Sequence, residues 1–129
     1  MQRSKHEETG IQKGNLEEKL SLFSDHWNPR IIGELNGQHV KLAKLKGTFI
    51  WHQHEKENEM FLVIRGELRI EFSETTEYLR EGDYIIIPAK TQHRPVAEEE
   101  AEVMLFEPAS TVNTGEKEDD FTKNRLDRI

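Results

Sequence analysis

Hydrophobic and polar residues alternate along most of this chain in short stretches of a few residues each. These stretches are rich in β-branched and aromatic residues, and turn residues separate them at close intervals. The pattern predicts short β-strands at 30–35, 38–45, 50–54, 60–65, 68–72, 77–79, 84–87, 93–96 and 103–106. Asn36-Gly37, between the first two, is a strong signal for a two-residue hairpin turn. So many short strands predict an all-β fold, an antiparallel barrel or double-sheet jelly roll.

One stretch near the N-terminus shows helical periodicity instead. Leu16, Leu20 and Phe23 recur at helical spacing, and Asn15 precedes them as a capping residue. The pattern predicts a short helix over 16–23. We expect its apolar stripe to pack on the barrel, with an interaction segment as the alternative.

The two ends of the chain are more polar than its middle. Residues 1–14 are mostly polar and charged and show no period, which predicts a flexible N-terminal arm. Residues 15–108 contain the predicted helix, hairpin and strands and form the barrel domain. Residues 109–129 include an acidic run, and like-charge blocks are usually disordered, so we predict a polar, solvated C-terminal tail.

Composition limits the classes of protein that fit. A chain of 129 residues supports one domain with a single core. The absence of cysteine excludes disulfides and thiolate ligands and favours a reducing, cytoplasmic location. A net charge of −7 disfavours a nucleic-acid partner. The N-terminus lacks the apolar stretch of a signal peptide, and no apolar run is long enough to cross a membrane.

Three of the six histidines and one glutamate fall where strand alternation can bring them together. His52 and His54 are two residues apart, so their side chains point to the same side of a strand, which in a small barrel is the interior. Glu59 shares its face with Phe61, and a carboxylate among apolar side chains is costly unless a cation pairs with it. His93 can enter from a neighbouring strand. These four residues are the candidate metal ligands.

Three imidazoles and one carboxylate suit a single divalent first-row metal: manganese, iron, nickel, zinc or copper. If the ion is six-coordinate, two positions remain for water or a chelating substrate. Glu55 and Glu57 compete for the carboxylate role. Their position in the tight loop favours exposure to solvent, although a one-residue shift of the strand could exchange their roles. The remaining histidines have no partner at ligand spacing, and we expect them to be structural or solvent-facing: His6, His26 and His39.

The spacing of these residues resembles the two motifs of the cupin superfamily. The first motif is matched by Gly47-x4-His52-x-His54-x4-Glu59-x6-Gly66, and the second by Gly82-x5-Pro88-x-Lys90-x2-His93-x3-Ala97. The short spacer between them, residues 67–81, is typical of small single-domain prokaryotic cupins, many of them labelled mannose-6-phosphate isomerase-like. The resemblance implies a conical β-barrel, commonly a homodimer, whose metal ligands are His52, His54, Glu59 and His93.

The chain departs from the family pattern at three positions. Gly47 is one residue closer to His52 than is usual, Lys90 stands where a glycine is usual, and Ala97 replaces an asparagine. None of these changes removes a ligand. Lys90 implies either a different turn or a lysine held at positive φ, at a cost of about 1 kcal/mol.

Three classes of function fit this pattern. The first is a metal-dependent enzyme acting on a small polar or acidic molecule, of the isomerase, dioxygenase or decarboxylase type. The second is a non-catalytic module that binds or senses a small ligand. The third, a structural oligomer in which the ion only ties strands together, is disfavoured by the intact ligand set. The fold does not decide between the first two, because function depends on the site.

The residues that would contact a ligand are less well specified by the sequence. The candidates for substrate binding are Phe61, Tyr84 and Gln92. The last two also qualify as a second catalytic group, as do Arg94 and His39. In the strand at 84–87 either of two alternating pairs can line the pocket: Tyr84 with Ile86, or Ile85 with Ile87.

Overall fold

The structure, a computed structural model, describes residues 9–129. Its elements are the helix α1 (Leu16–Leu20) and the strands β1 (Arg30–Leu35), β2 (Gln38–Thr48), β3 (Glu59–Arg65), β4 (Leu68–Phe72), β5 (Thr76–Leu79), β6 (Tyr84–Ile87) and β7 (His93–Pro108). The predicted flexible arm, 1–14, lies mostly outside the described residues. In its described part, Gln12 exchanges two hydrogen bonds of 2.8 Å with the backbone of Glu34 in β1. No helix among residues 9–129 has the length and apolar character that a membrane span requires.

Helix α1 begins where the sequence predicts and ends earlier. Asn15 has extended backbone angles, and its side chain accepts a hydrogen bond of 3.0 Å from the Glu18 N–H. Ser21 caps the other end, so the helix stops at Leu20 and not at residue 23. Phe23 is nevertheless buried in one cluster with Leu20 and Leu42. The apolar stripe therefore packs on the sheet although its last member lies outside the helix.

The strands form one antiparallel sheet in the order β1-β2-β7-β3-β6, with β4 pairing with both β5 and β7. The prediction of a mainly antiparallel β fold with a short N-terminal helix is confirmed, but the strand pairing does not close the sheet. Strand β7 is its centre, because it pairs with β2, β3 and β4. The predicted hairpin is also present, with Asn36 and Gly37 at φ 50° and 76°, as a type I′ turn requires.

The structure differs from three of the predicted strands. The strands expected at 93–96 and 103–106 are one continuous strand, β7. The polar run 98–100 resembles a connection, but it is the exposed middle of that strand. The strand expected at 50–54 is not regular, since only His52 makes a β-bridge there, with His93.

The inner face of the sheet carries the main apolar core. Buried side chains alternate with less buried ones along β3, where Glu59, Phe61 and Val63 face inward. Pairing of β3 with β6 sets Ile85 opposite Phe61, whereas Tyr84 and Ile86 are 67% and 59% exposed. The pair that points inward is therefore Ile85 with Ile87.

The C-terminal segment, 109–129, folds back against the sheet. Its acidic part, 116–120, is exposed, as a solvated tail predicts. Its apolar part is packed, because the Phe121 ring lies 4.9 Å from that of Phe49. Gly115, at φ +65°, approaches so closely that an added Cβ would lie 2.0 Å from the Gln53 carbonyl oxygen. The segment therefore packs against the chain between His52 and His54.

Candidate metal centre

The structure brings the four predicted ligands into one buried group. His52 and His54 lie in the loop after β2, Glu59 begins β3 and His93 begins β7. None of the four is more than 4% exposed. One ligand atom from each residue lies within 4.8 Å of the ligand atoms of all the others. The group could therefore hold a metal ion.

Backbone pairing fixes two of the imidazoles. The His52 N–H donates to the His93 carbonyl at 3.0 Å, and the His93 N–H donates back at 2.9 Å. The Nδ1 atoms of the two rings lie 3.0 Å and 2.8 Å from the carbonyl oxygens of Ile50 and Thr91. Because a carbonyl only accepts, each Nδ1 carries the proton. In the neutral ring this leaves the Nε2 lone pair available for a metal.

The second motif also positions the first. The Lys90 N–H donates to the His54 carbonyl at 2.7 Å, and the Ala89 N–H donates to Asn58 Oδ1 at 2.9 Å. Lys90 is held at φ 67°, so one of its two predicted conformations, a lysine at positive φ, is present. The turn at Ala89 and Lys90 is therefore hydrogen-bonded to both ends of the loop that joins His54 to Glu59.

Several of the candidate ligand atoms lack a hydrogen-bond partner in the described chain. His54 Nε2, His93 Nε2 and Glu59 Oε1 are buried and make no hydrogen bond within the described chain. Glu59 Oε1 lies 3.5 Å from His54 Nε2 and 3.3 Å from His93 Nε2. Buried polar atoms in native proteins are nearly always satisfied. Two imidazole nitrogens and one carboxylate oxygen that converge without hydrogen bonds therefore fit as ligands of a first-row divalent cation.

The electrostatics of the group are dominated by burial and by Glu59. Burial and the neighbouring His93 lower the pKa of His52 to about 4, which keeps that ring neutral. Burial alone would lower the pKa of His54, but Glu59 outweighs it and raises that pKa. Burial would raise the pKa of Glu59, but His54 and His93 hold it well below its usual value. Glu59 is therefore the anion of the group.

The predicted substrate residues are not all near this group. Phe61 lines a cavity of about 40 Å³ together with His52 and Glu59. Gln92 is half-buried next to His93 in the chain. Tyr84 lines a different groove, between β5 and β6, to which none of the four ligand candidates contributes. The structure thus places Phe61 at the group and Tyr84 away from it.

The competing carboxylates and the other histidines have partners elsewhere. Glu55 accepts a hydrogen bond from Gln53 Nε2 at 2.7 Å, and Glu57 accepts one from Ser110 Oγ at 2.9 Å. His26 Nε2 lies 2.7 Å from Glu100, and His39 Nε2 lies 3.1 Å from Glu34. Arg94, the other candidate for a second catalytic group, pairs with Glu71 Oε1. His6 lies outside the described residues.

A buried ion pair that was not among the predicted site residues lies beside the group. Lys41 Nζ lies 2.8 Å from Glu107 Oε1, and both side chains are 3% exposed. Glu107 lines the same cavity as His52 and Glu59. Burial and the charge of Glu59 raise the pKa of Glu107 well above its usual value. Strand alternation contained the signal, because Lys41 lies two residues before inward-facing Ala43 on β2, and Glu107 lies two residues after inward-facing Leu105 on β7.

Solved structures of other proteins share this architecture. A cupin-2 domain containing protein from Shewanella frigidimarina NCIMB 400 is 41% identical, with a TM-score of 0.73 over 74% of this chain and 93% of that one. A protein from Neisseria meningitidis is 27% identical, with a TM-score of 0.70 over 76% of this chain and 100% of that one. Both likenesses cover most of the chain.

A curated relative and a family match support the same assignment. The uncharacterized protein YdbB of Bacillus subtilis (strain 168) is 38% identical over 80 residues, or 61% of this chain and 65% of YdbB. The chain thus spans slightly less than two thirds of that relative. The cupin domain family matches residues 38–107, which include all four ligand candidates. Because this match covers more than half of the chain, the protein belongs to the cupin family.

Proposed function

We propose that this cupin binds one divalent first-row metal ion through His52, His54, Glu59 and His93. The observation that carries the proposal is the convergence of four buried ligand atoms within 4.8 Å of one another. Three of the four residues contribute atoms without a hydrogen bond in the described chain. The donor set fits manganese, iron, nickel, zinc or copper.

The metal-bound protein would act on a small polar or acidic molecule, in a reaction of the isomerase, dioxygenase or decarboxylase type. A bound ion would supply Lewis acidity or an activated water at its open positions. Glu59 balances part of the cation charge, and the Nδ1 hydrogen bonds of His52 and His93 hold the rings in one tautomer. Phe49 and Phe61 give the same cavity part of its apolar lining.

A non-catalytic role, in which the protein binds or senses a small ligand, is the second candidate. The cavity of about 40 Å³ has space for only a few water-sized groups, which limits the ligand to a small molecule in either role. Turnover of a candidate ligand separates the two roles. The cytoplasmic location stays a prediction from the sequence, and the label mannose-6-phosphate isomerase-like refers to similarity of fold and not to a predicted activity.

The proposal is tested by the metal content of protein purified without added metal. We expect close to one divalent ion per chain, and a clear loss in His52→Ala and His93→Ala. Thermal-shift screening of the loaded protein against small sugars, keto acids and phenols then identifies the ligand class. Metal content that none of the ligand substitutions alters would contradict the proposed centre.

A further inference from the structure

The cavity beside the metal centre is lined mainly by apolar side chains. It has a volume of about 40 Å³, and two of the ligand candidates, His52 and Glu59, line it. Eight of its twelve lining residues are apolar, and they include Trp27, Phe61 and Leu105. A ligand that reaches from a bound ion into this cavity therefore meets mainly apolar side chains.

The other polar side chains of the lining already have partners. The Asn113 side-chain amide makes two hydrogen bonds of 2.8 Å with backbone groups of the C-terminal segment. Glu107 pairs with Lys41 and lies against Glu59, so it belongs to the polar surroundings of the ligand group. Away from that group, the lining side chains are therefore apolar or already hydrogen-bonded.

The aromatic part of the lining presents only apolar surface. The Trp27 indole N–H donates to the Lys46 carbonyl at 2.8 Å, so it is not available to a ligand. The Trp27 ring stacks on Phe49 with 4.8 Å between centroids, and Phe49 meets the His52 ring edge-on at 5.3 Å. Trp27 is also held at φ 59°, a conformation that bulky residues rarely adopt and that recurs at ligand sites. The Trp27 ring is therefore fixed in the wall of the cavity.

We propose that this cavity binds the aliphatic part of a small ligand whose oxygen atoms bind the metal ion. This inference rests on the proposed function. A polar group buried without a hydrogen-bond partner is costly, whereas burial of a methyl or methylene group is favourable. The cavity therefore selects short-chain aliphatic acids and keto acids over sugars, whose hydroxyl groups would lie among apolar side chains. Trp27, Phe61 and Leu105 are then specificity-determining residues.

The test compares two hydroxamic acids of nearly equal size that share one metal-binding group. Propionohydroxamate carries an ethyl group, and glycolohydroxamate carries a hydroxymethyl group in its place. The affinities of both are measured by isothermal titration with Ni²⁺-loaded full-length protein at one fixed pH, and the metal content is measured before and after titration. We expect wild-type protein to bind propionohydroxamate at least about tenfold more tightly, because the hydroxyl group of the other probe would be buried without a partner.

Two leucine variants locate the preference. Leu105→Ala enlarges the cavity, and Leu79→Ala is the matched control, since Leu79 is buried in the same apolar cluster but does not line the cavity. Leu105→Ala should bind the longer pentanohydroxamate about tenfold more tightly than wild-type protein does, because two more methylene groups can be buried. Leu79→Ala should show no such gain. Leu105→Val, a smaller change, should shift the affinity in the same direction and replaces Leu105→Ala if that variant does not fold.

Three results would overturn the inference. The first is metal-loaded wild-type protein that binds both hydroxamates equally or binds neither. The second is a gain for pentanohydroxamate that is as large in Leu79→Ala as in Leu105→Ala, and the third is the absence of any gain in the folded Leu105 variants. All three leave the metal centre intact and differ from failure of the proposed function, which would appear as wild-type protein that binds no divalent ion.

Discussion

Replacing Glu59 by glutamine tests the proposed centre most directly. The substitution keeps nearly the same shape and removes the only carboxylate of the ligand group. The side chain is 4% exposed, and its Oε1 lies within 3.5 Å of His54 Nε2 and His93 Nε2. We expect Glu59→Gln to weaken metal binding strongly with little repacking.

The size of the effect follows from mass action. An ion at 100 times its Kd stabilises the folded state by about 2.7 kcal/mol, and the same ion at its Kd stabilises it by only about 0.4 kcal/mol. Loss of about 100-fold in affinity therefore removes about 2.3 kcal/mol of metal-induced stability. For a domain of this size, the rise in Tm on metal binding should therefore be smaller in Glu59→Gln than in the wild type by roughly 7–10 °C.

The assay is thermal unfolding of each variant with and without Mn²⁺. Each metal-loaded Tm is compared with the Tm of the same variant after chelation, so that effects of the substitution on the metal-free protein cancel. Glu55→Gln and Glu57→Gln are the controls, since their carboxylates accept hydrogen bonds from Gln53 and Ser110. A full metal-induced shift in Glu59→Gln, together with its loss in either control, would refute the assignment of the carboxylate ligand.

Three further predictions concern pH, the turn and assembly. Burial lowers the pKa of His52 from 6.5 to about 4. The contribution of His52 to the free energy of unfolding of the metal-free protein is therefore present above pH 6.5 and is lost as the pH falls towards 4. Urea unfolding at a series of pH values should show a smaller loss of stability in His52→Gln. Lys90→Gly should raise the free energy of unfolding by up to about 1 kcal/mol, because it relieves a positive φ; an unchanged urea midpoint would argue against strain there. We also expect a homodimer through one of the two edge strands of the sheet path, β1 or β6, which carry the exposed side chains of Leu35 (49%) and Ile86 (59%) respectively; light scattering that gave the 15.1 kDa of one chain at micromolar concentration would contradict it.

Strand alternation predicted the four ligand candidates, but its premise holds only for β3, where Glu59 shares the face of Phe61. His52 and His54 converge from a loop with a single β-bridge and not from the regular strand that the prediction assumed. The pairing of β2, β3 and β7 that gathers the four ligand candidates depends on long-range contacts, which the residues show only through the resemblance. The same alternation failed to predict Lys41 and Glu107, because charged residues at inward positions are normally assigned to solvent.

Boundaries were predicted less well where local composition opposes the tertiary structure. The three glutamates at 98–100 have the composition of a loop, but flanking Ala97 and Ala101 are fully buried and keep the strand continuous. The strand 84–87 is apolar on both sides, so its orientation depended on the pairing of Ile85 with Phe61. Phe23 packs against Leu20 and Leu42 although it lies beyond the end of the helix. The spacing of Leu16, Leu20 and Phe23 alone does not distinguish this arrangement from a helix that continues to residue 23.

The contact between Gly115 and Gln53 links the C-terminal segment to the metal centre. Gln53 lies between the two histidines, and its carbonyl oxygen occupies the place where a side chain at position 115 would begin. Residues 108–129 lie outside the family match, whereas Gln53 lies within it. Binding equilibria that share a structural element are reciprocal. If docking of the segment favours the arrangement of His52 and His54 that binds the ion, the ion must favour docking by the same factor, and protection of residues 109–129 from proteases becomes a measure of metal occupancy.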